Sequence, residues 1–158
     1  MSRLLGALLW SLFLLFTLLY TRREEARRLR ELGALCRLIT HLRDALSDLP
    51  RPLAYIYDSF HDDTLKQIGF LDVLQREGLH SALTSGVLHL EKEVLAPLVT
   101  YAEAQGERLW ESEKQALSEL LSHLRPSYET RQADAPRRAR LFSTLFFSGG
   151  MMLLLLLL

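Results

Sequence analysis

RRLRELGALCRLITHLRDALSDLP, Arg27 to Pro50, decides the fold. Leucine-type residues fall at Leu29, Leu32, Leu35, Ile39, Leu42, Leu46 and Leu49, with spacings of 3, 3, 4, 3, 4 and 3. That is close to a heptad seam, the signature of one apolar stripe on a helix. The spacing predicts a helix from Glu24 to Leu49, ended by Pro50 and Pro52. Such a stripe has two uses: as the core of a bundle, or as a coiled-coil face against a second chain.

Working outward, the charge is layered. The 158 residues carry 19 basic and 19 acidic side chains and no formal net charge. From Glu31 to Glu129 there are nine Lys/Arg against sixteen Asp/Glu, a net of −7. Arginines gather on either side of this acidic stretch: Arg22, Arg23, Arg27, Arg28 and Arg30 before it, and Arg137, Arg138 and Arg140 after it. Outside these collars lie two uncharged apolar runs, Leu4 to Tyr20 and Leu141 to Leu158. As helices they would be about 25–27 Å long, at the short end for a bilayer. A cleaved signal peptide needs small residues after its apolar stretch, and TRREEARR follows Tyr20 instead. Positive charge in short loops stays cytoplasmic. The expected topology is therefore an integral membrane hairpin with the middle domain cytoplasmic. The expected divisions are a transmembrane helix over 1–21, a helical bundle over 22–140 and a second transmembrane helix over 141–158. The final leucines read as the second anchor.

The middle continues in helical patterns. Pro52 suits the first turn of a short helix through Phe60. Thr64 with Gln67 has the spacing of a capping box, and Leu65, Ile68, Leu71 and Leu74 share the face behind it, up to Gly78. A helix or turn over His80 to Gly86 and an amphipathic helix over Val87 to Ala102 follow, with Pro97 a kink or a fresh start. Ser112 with Gln115 reads as a second capping box before Leu117, Leu120, Leu121 and Leu124, with breaks expected at Pro126 and Pro136. No stretch alternates with period two. The fold class is all-α: a bundle of about four to six helices between two transmembrane helices.

Catalytic patterns are missing from the sequence. His41, His61, His80, His89 and His123 are scattered, and no metal-ligand spacing appears. His89 and Glu93 are four apart, which reads as a solvated polar face. Asp62 and Asp63 suit a helix N-terminus, where carboxylates complement the dipole. Cys36, the single cysteine, reads as a small apolar residue of the seam. There is no phosphate-binding glycine loop, and Gly149-Gly150 suits close helix packing. The collars point to anionic lipid headgroups rather than nucleic acid. The expectation is a protein that is not an enzyme, without cofactor, metal or small-molecule substrate.

The order of parts resembles the stage III sporulation protein AB family of endospore-forming bacteria. The resemblance rests on a short N-terminal anchor, the Arg-rich leucine helix RRLRELGALCRLITHLRDAL, the Pro52-Leu53 helix start, the segment GERLWESEKQ and the basic-apolar end RARLFSTLFFSGGMMLLLLLL. It spans essentially the whole chain. The sequence departs from that family at Leu109-Trp110 and at Ser143-Thr144-Leu145. The resemblance implies a helical domain similar to the F domains of the platform protein of type II secretion and type IV pilus systems. It also implies a place in a channel complex between mother cell and forespore, in the outer forespore membrane. The implied partners are membrane subunits and a secretion-type ATPase like stage III sporulation protein AA. An acidic domain favours a partner with a basic surface. Glu103, Glu107, Glu111 and Glu113 are the candidate partner-binding acids. The alternative is a generic membrane-anchored scaffold that dimerises through the Leu32–Leu49 seam.

Overall fold

A computed structural model describes residues 2–48, 52–107 and 109–157; several side chains between 2 and 14 and most beyond 141 lie outside the description. Every regular element among the described residues is a helix: α1 Ser2–Asp48, α2 Leu53–Ser59, α3 Asp63–Gln67, α4 Phe70–Glu77, α5 Leu79–Thr84, α6 Lys92–Glu103 and α7 Trp110–Leu157. The chain divides into two compact units, Arg28–Glu129 and the pair of segments Met1–Arg27 and Thr130–Leu158.

The Arg28–Glu129 unit is organised by the leucine stripe. Leu32, Leu35, Leu38, Ile39 and Leu42 on α1 are fully buried. They share a core with Phe70 and Leu74 of α4, Leu98 of α6, and Leu117, Leu120, Leu121 and Leu124 of α7. Fully burying a leucine contributes about 1.5–3 kcal/mol relative to leaving it in water. From Leu32 to Leu46 the stripe is thus buried within a single chain. Leu49 lies outside the described residues.

Several local expectations change. Among the described residues this unit holds parts of seven helices rather than four to six. The added number comes from the segment read as one helix after Thr64, which divides at Gly69. That residue has φ +77°, in the left-handed region open to glycine, and its N–H bonds Lys66 O at 3.0 Å. Gly78, at φ +88°, closes α4 through its N–H to Leu74 O. The cap before α3 is Asp62, not Thr64. Its Oδ1 accepts from Thr64 N at 3.0 Å and Leu65 N at 3.2 Å.

The helix expected from Val87 begins only at Lys92 and runs through Pro97 to Glu103. A distant carboxylate holds the preceding loop: Glu31 Oε2 accepts from His89 N at 2.7 Å. Ser112 is not a cap either, because α7 already starts at Trp110 and Glu113 N bonds Leu109 O at 2.9 Å. Pro126 and Pro136 do not break α7. Both are exposed. The missing hydrogen bond at each falls on a wet face, and before Pro126 the leucines through Leu124 hold the preceding turns in the core.

The segments Met1–Arg27 and Thr130–Leu158 form the other unit, in which both expected membrane spans fall. In α1 the large apolar side chains Leu9, Leu12, Phe13, Phe16, Leu19 and Tyr20 are at least half exposed, from 50% to 69%. Among the described residues no helix is long and apolar enough to cross a membrane. The run Leu4 to Tyr20 lies partly, and Leu141 to Leu158 mostly, on side chains outside the description.

Candidate functional site

The candidate residues fall into three sets. The first is the arginine collars. Arg22, Arg23, Arg30, Arg137 and Arg140 are exposed, Arg27 and Arg28 are half-buried, and the side chain of Arg138 is outside the description. Arg28 Nη1 lies 3.6 Å from Glu91 Oε1, between partly exposed side chains. Such a pair contributes at most about 1 kcal/mol.

The second set is the polar groups considered for chemistry, of which Asp62, Cys36 and His89 have structural occupations. Besides capping α3, Asp62 accepts from Arg37 Nε at 2.9 Å and Nη2 at 2.6 Å through Oδ2. It therefore ties α1 to the start of α3. Cys36 is half-buried against the core, and burial pushes its thiol up, over the opposing pull of Arg125 and Arg37. A raised thiol carries less thiolate and is a poorer nucleophile. His89 precedes α6 rather than sharing a helical face with Glu93, and its Nδ1 is 3.2 Å from Glu31 Oε1. Among the described residues, no three His, Cys, Asp or Glu side chains gather closely enough to hold a metal ion.

The third set is the acids around the α6–α7 turn. Glu103 ends α6, and Ala104 N and Gln105 N bond back to Tyr101 O and Ala102 O. Gly106, at φ +87°, turns the chain toward α7. Glu103, Glu107 and Glu111 are all exposed, and Leu109 between them is 85% exposed. Trp110, the first residue of α7, packs half-buried against the core. Arg108 lies outside the described residues.

Glu113 differs from the other three acids and leaves the set of surface acids. It is only 6% exposed, and its Oε1 accepts from Tyr101 Oη at 2.6 Å. The reason is periodicity: Glu113 sits four residues before Leu117, on the face α7 turns inward. Nearby, Tyr57 Oη donates to Gln105 Oε1 at 2.7 Å, which joins α2 to the turn. Burial pushes the Tyr57 phenol up to about 12, and the Gln105 bond only partly offsets that. Tyr101 is pushed up further, by burial first and then by the Glu113 carboxylate it bonds. Among the described residues, Glu113 Oε2 is buried without a hydrogen-bond partner.

Sequence reasoning missed the two carboxylates that are buried among the described residues, Glu31 at 0% exposure and Glu113. The signal was present in both cases. Glu31 stands four residues before Leu35, as Glu113 stands before Leu117. A glutamate in phase with a core leucine is directed inward, whatever its charge. No family model, curated protein or solved structure matches this chain.

Proposed function

We propose that this protein is a non-enzymatic membrane platform subunit. In this reading its two apolar runs cross the bilayer and its acidic helical unit docks a secretion-type ATPase at the cytoplasmic face. Following the resemblance to the stage III sporulation protein AB family, the platform would belong to the channel complex between mother cell and forespore. The observation that carries the docking role is the α6–α7 turn, where Glu103, Glu107 and Glu111 stand exposed around an exposed leucine. A turn of that charge favours a partner with a basic face and speeds encounter with it.

Membrane anchoring is supported by the two uncharged runs, by the arginines that follow one and precede the other, and by the outward apolar side chains of α1. An apolar face that wide, in water, would drive association. Lipid is the cover that also accounts for the arginine collars. The scaffold alternative needed the leucine stripe for a second chain, and its burial in the core argues against that use.

The test is binding of the ATPase to the full chain in lipid nanodiscs. Glu103→Lys, Glu107→Lys and Glu111→Lys together should weaken binding at least about tenfold and reverse its dependence on salt. Unchanged affinity would overturn the docking role. In a spore former, deletion of the gene should stop development at engulfment.

A further inference from the structure

The exposed apolar side chains of α1 are ordered around the helix as well as along it. Leu9, Leu12, Phe13, Phe16, Leu19 and Tyr20, each at least half exposed, fall within about 120° of arc at 3.6 residues per turn. Leu15, beside this face, is less exposed at 46%. Two hydroxyls next to the face are satisfied inside the helix. Thr17 Oγ1 donates to Phe13 O at 2.8 Å, and Thr21 Oγ1 donates to Thr17 O at 3.1 Å and Leu18 O at 3.0 Å. A lipid surround demands such internal pairing of polar groups. The face also has the depth of one leaflet. From Leu9 to Tyr20 the helix rises about 16–17 Å, against about 15 Å for half of a hydrocarbon core. Tyr20 then stands at the boundary, where amphipathic rings are favoured. Arg23 follows about 4–5 Å further along the axis, within the depth of a headgroup layer. It is exposed and lies about 25° from the middle of the apolar face. Arg22 is exposed at nearly the same depth but about 120° around the helix from that middle. Glu24 is half-buried to one side, and Glu25 falls on the opposite face.

We propose that the face of α1 from Leu9 to Arg23 is a binding site for one anionic phospholipid of the cytoplasmic leaflet. This deepens the anchoring role above and rests on it. An acyl chain lies along Leu9, Leu12, Phe13 and Phe16, and the phosphate meets the Arg23 guanidinium. A guanidinium presents a planar fork of donors that matches phosphate through two parallel bonds. Charge selects the lipid. A headgroup that carries phosphate and no cation feels the full attraction, whereas the choline of a zwitterionic headgroup offsets it. A second copy of the chain suits the face less well. Copies that share one topology would run parallel and bring their Arg23 side chains to one level, like charge against like.

The test uses the full chain in phosphatidylcholine vesicles with a trace of spin-labelled phosphatidylglycerol or spin-labelled phosphatidylcholine. The motionally restricted fraction of the spin signal measures the lipid held against the protein. Phosphatidylglycerol should be preferred about fivefold, the effect of one basic residue at an anionic headgroup. Arg23→Gln should bring the preference close to one, and Arg23→Lys should keep part of it. Arg22→Gln should leave most of it, since that side chain lies off the face. Equal restriction of the two lipids by the parent chain would overturn the proposal. So would an Arg22→Gln loss as large as that of Arg23→Gln, because the summed charge of the collar would then be enough. A second copy on the face would also overturn it, and would show as dimers when Phe16→Cys in a Cys36→Ala background is oxidised at high lipid-to-protein ratio. The anchoring itself is read separately, by flotation. A chain that floats with the vesicles but shows no preference loses only the lipid site. A chain that does not float loses both.

Discussion

Gly33 shows how much a single hydrogen atom can decide. It is buried on α1, and a Cβ placed there would lie 2.9 Å from Tyr128 Cε2 on α7. The two helices approach this closely because one of them lacks a side chain at the contact. Gly33→Ala should destabilise the chain by about 1–3 kcal/mol, the usual cost of overpacking. Trimming the ring with Tyr128→Leu in the same chain should recover part of that loss in a denaturant titration. If Gly33→Ala alone is neutral, the contact is looser than this spacing requires.

Tyr57 makes a prediction about alkali. Its phenol rises from an ordinary 10 to about 12 in the folded chain, chiefly through burial. A group whose folded pKa is raised holds its proton longer folded than unfolded. Its stabilisation is therefore complete below about pH 10 and is lost as pH climbs toward 12. In that window the loss is about 1.4 kcal/mol per pH unit for each such group. Tyr57→Phe should flatten the fall in melting temperature between pH 10 and 12, with Tyr101 left to supply the remaining slope. A parent chain equally stable at pH 9.5 and 11.5 would contradict this.

Among the elements, α3 is the smallest and depends most on one side chain. Five residues are too few to form a stable helix alone. Asp62 starts it by accepting two backbone N–H groups and holds it against α1 through Arg37. Asp62→Ala should cost about 0.5–2 kcal/mol as a lost cap. Asp62→Asn keeps the acceptor and loses only the partly exposed ion pair, so it should cost less. The reverse order in thermal melts would show that the ion pair, not the cap, is what matters.

The elements also show what the sequence could and could not reveal. The second half of α1 was legible because one rule, apolar side chains at spacings of three and four, holds from Leu29 to Leu46. So was the closure of α4 by Gly78, since the left-handed conformation there suits glycine. The caps were misplaced for a physical reason. Thr64 and Ser112 have acceptable capping chemistry, but Asp62 stands earlier and offers a carboxylate, and α7 already begins at Trp110. The start of α6 was out of reach, because it depends on Glu31 binding His89 across 58 positions of sequence. Pro126 misled because local propensity was weighed without the leucine face before it; for Pro136 only its exposed position offers a reason. Of the candidate acids, Glu103, Glu107 and Glu111 are exposed and Glu113 is buried, a distinction that the phase of Leu117 already contained.

For the whole molecule, the buried stripe changes what a polar substitution should do. Leu42→Asn places an amide in the core of a single chain. It should cost about 3 kcal/mol or more, through the lost packing and the buried polar group. The unit should unfold rather than pass from dimer to folded monomer. Light scattering in detergent alongside circular dichroism separates these outcomes, and a folded monomer would restore the coiled-coil alternative. The membrane arrangement has its own test. A reporter fused after Leu158 should be found on the side opposite the arginine collars, and a cytoplasmic signal would overturn the hairpin.

The position of Trp110 offers an optical handle. The chain has two tryptophans. Trp10 stands in the first apolar run, and Trp110 opens α7, half-buried beside the exposed acids of the turn. With Trp10→Phe, the remaining emission comes from a single indole beside the docking turn. A partner that seats there should shift its colour and shield it from an anionic quencher, while one that binds elsewhere should leave the spectrum unchanged. The chain thus carries its own fluorescent gauge of occupancy, with no label attached.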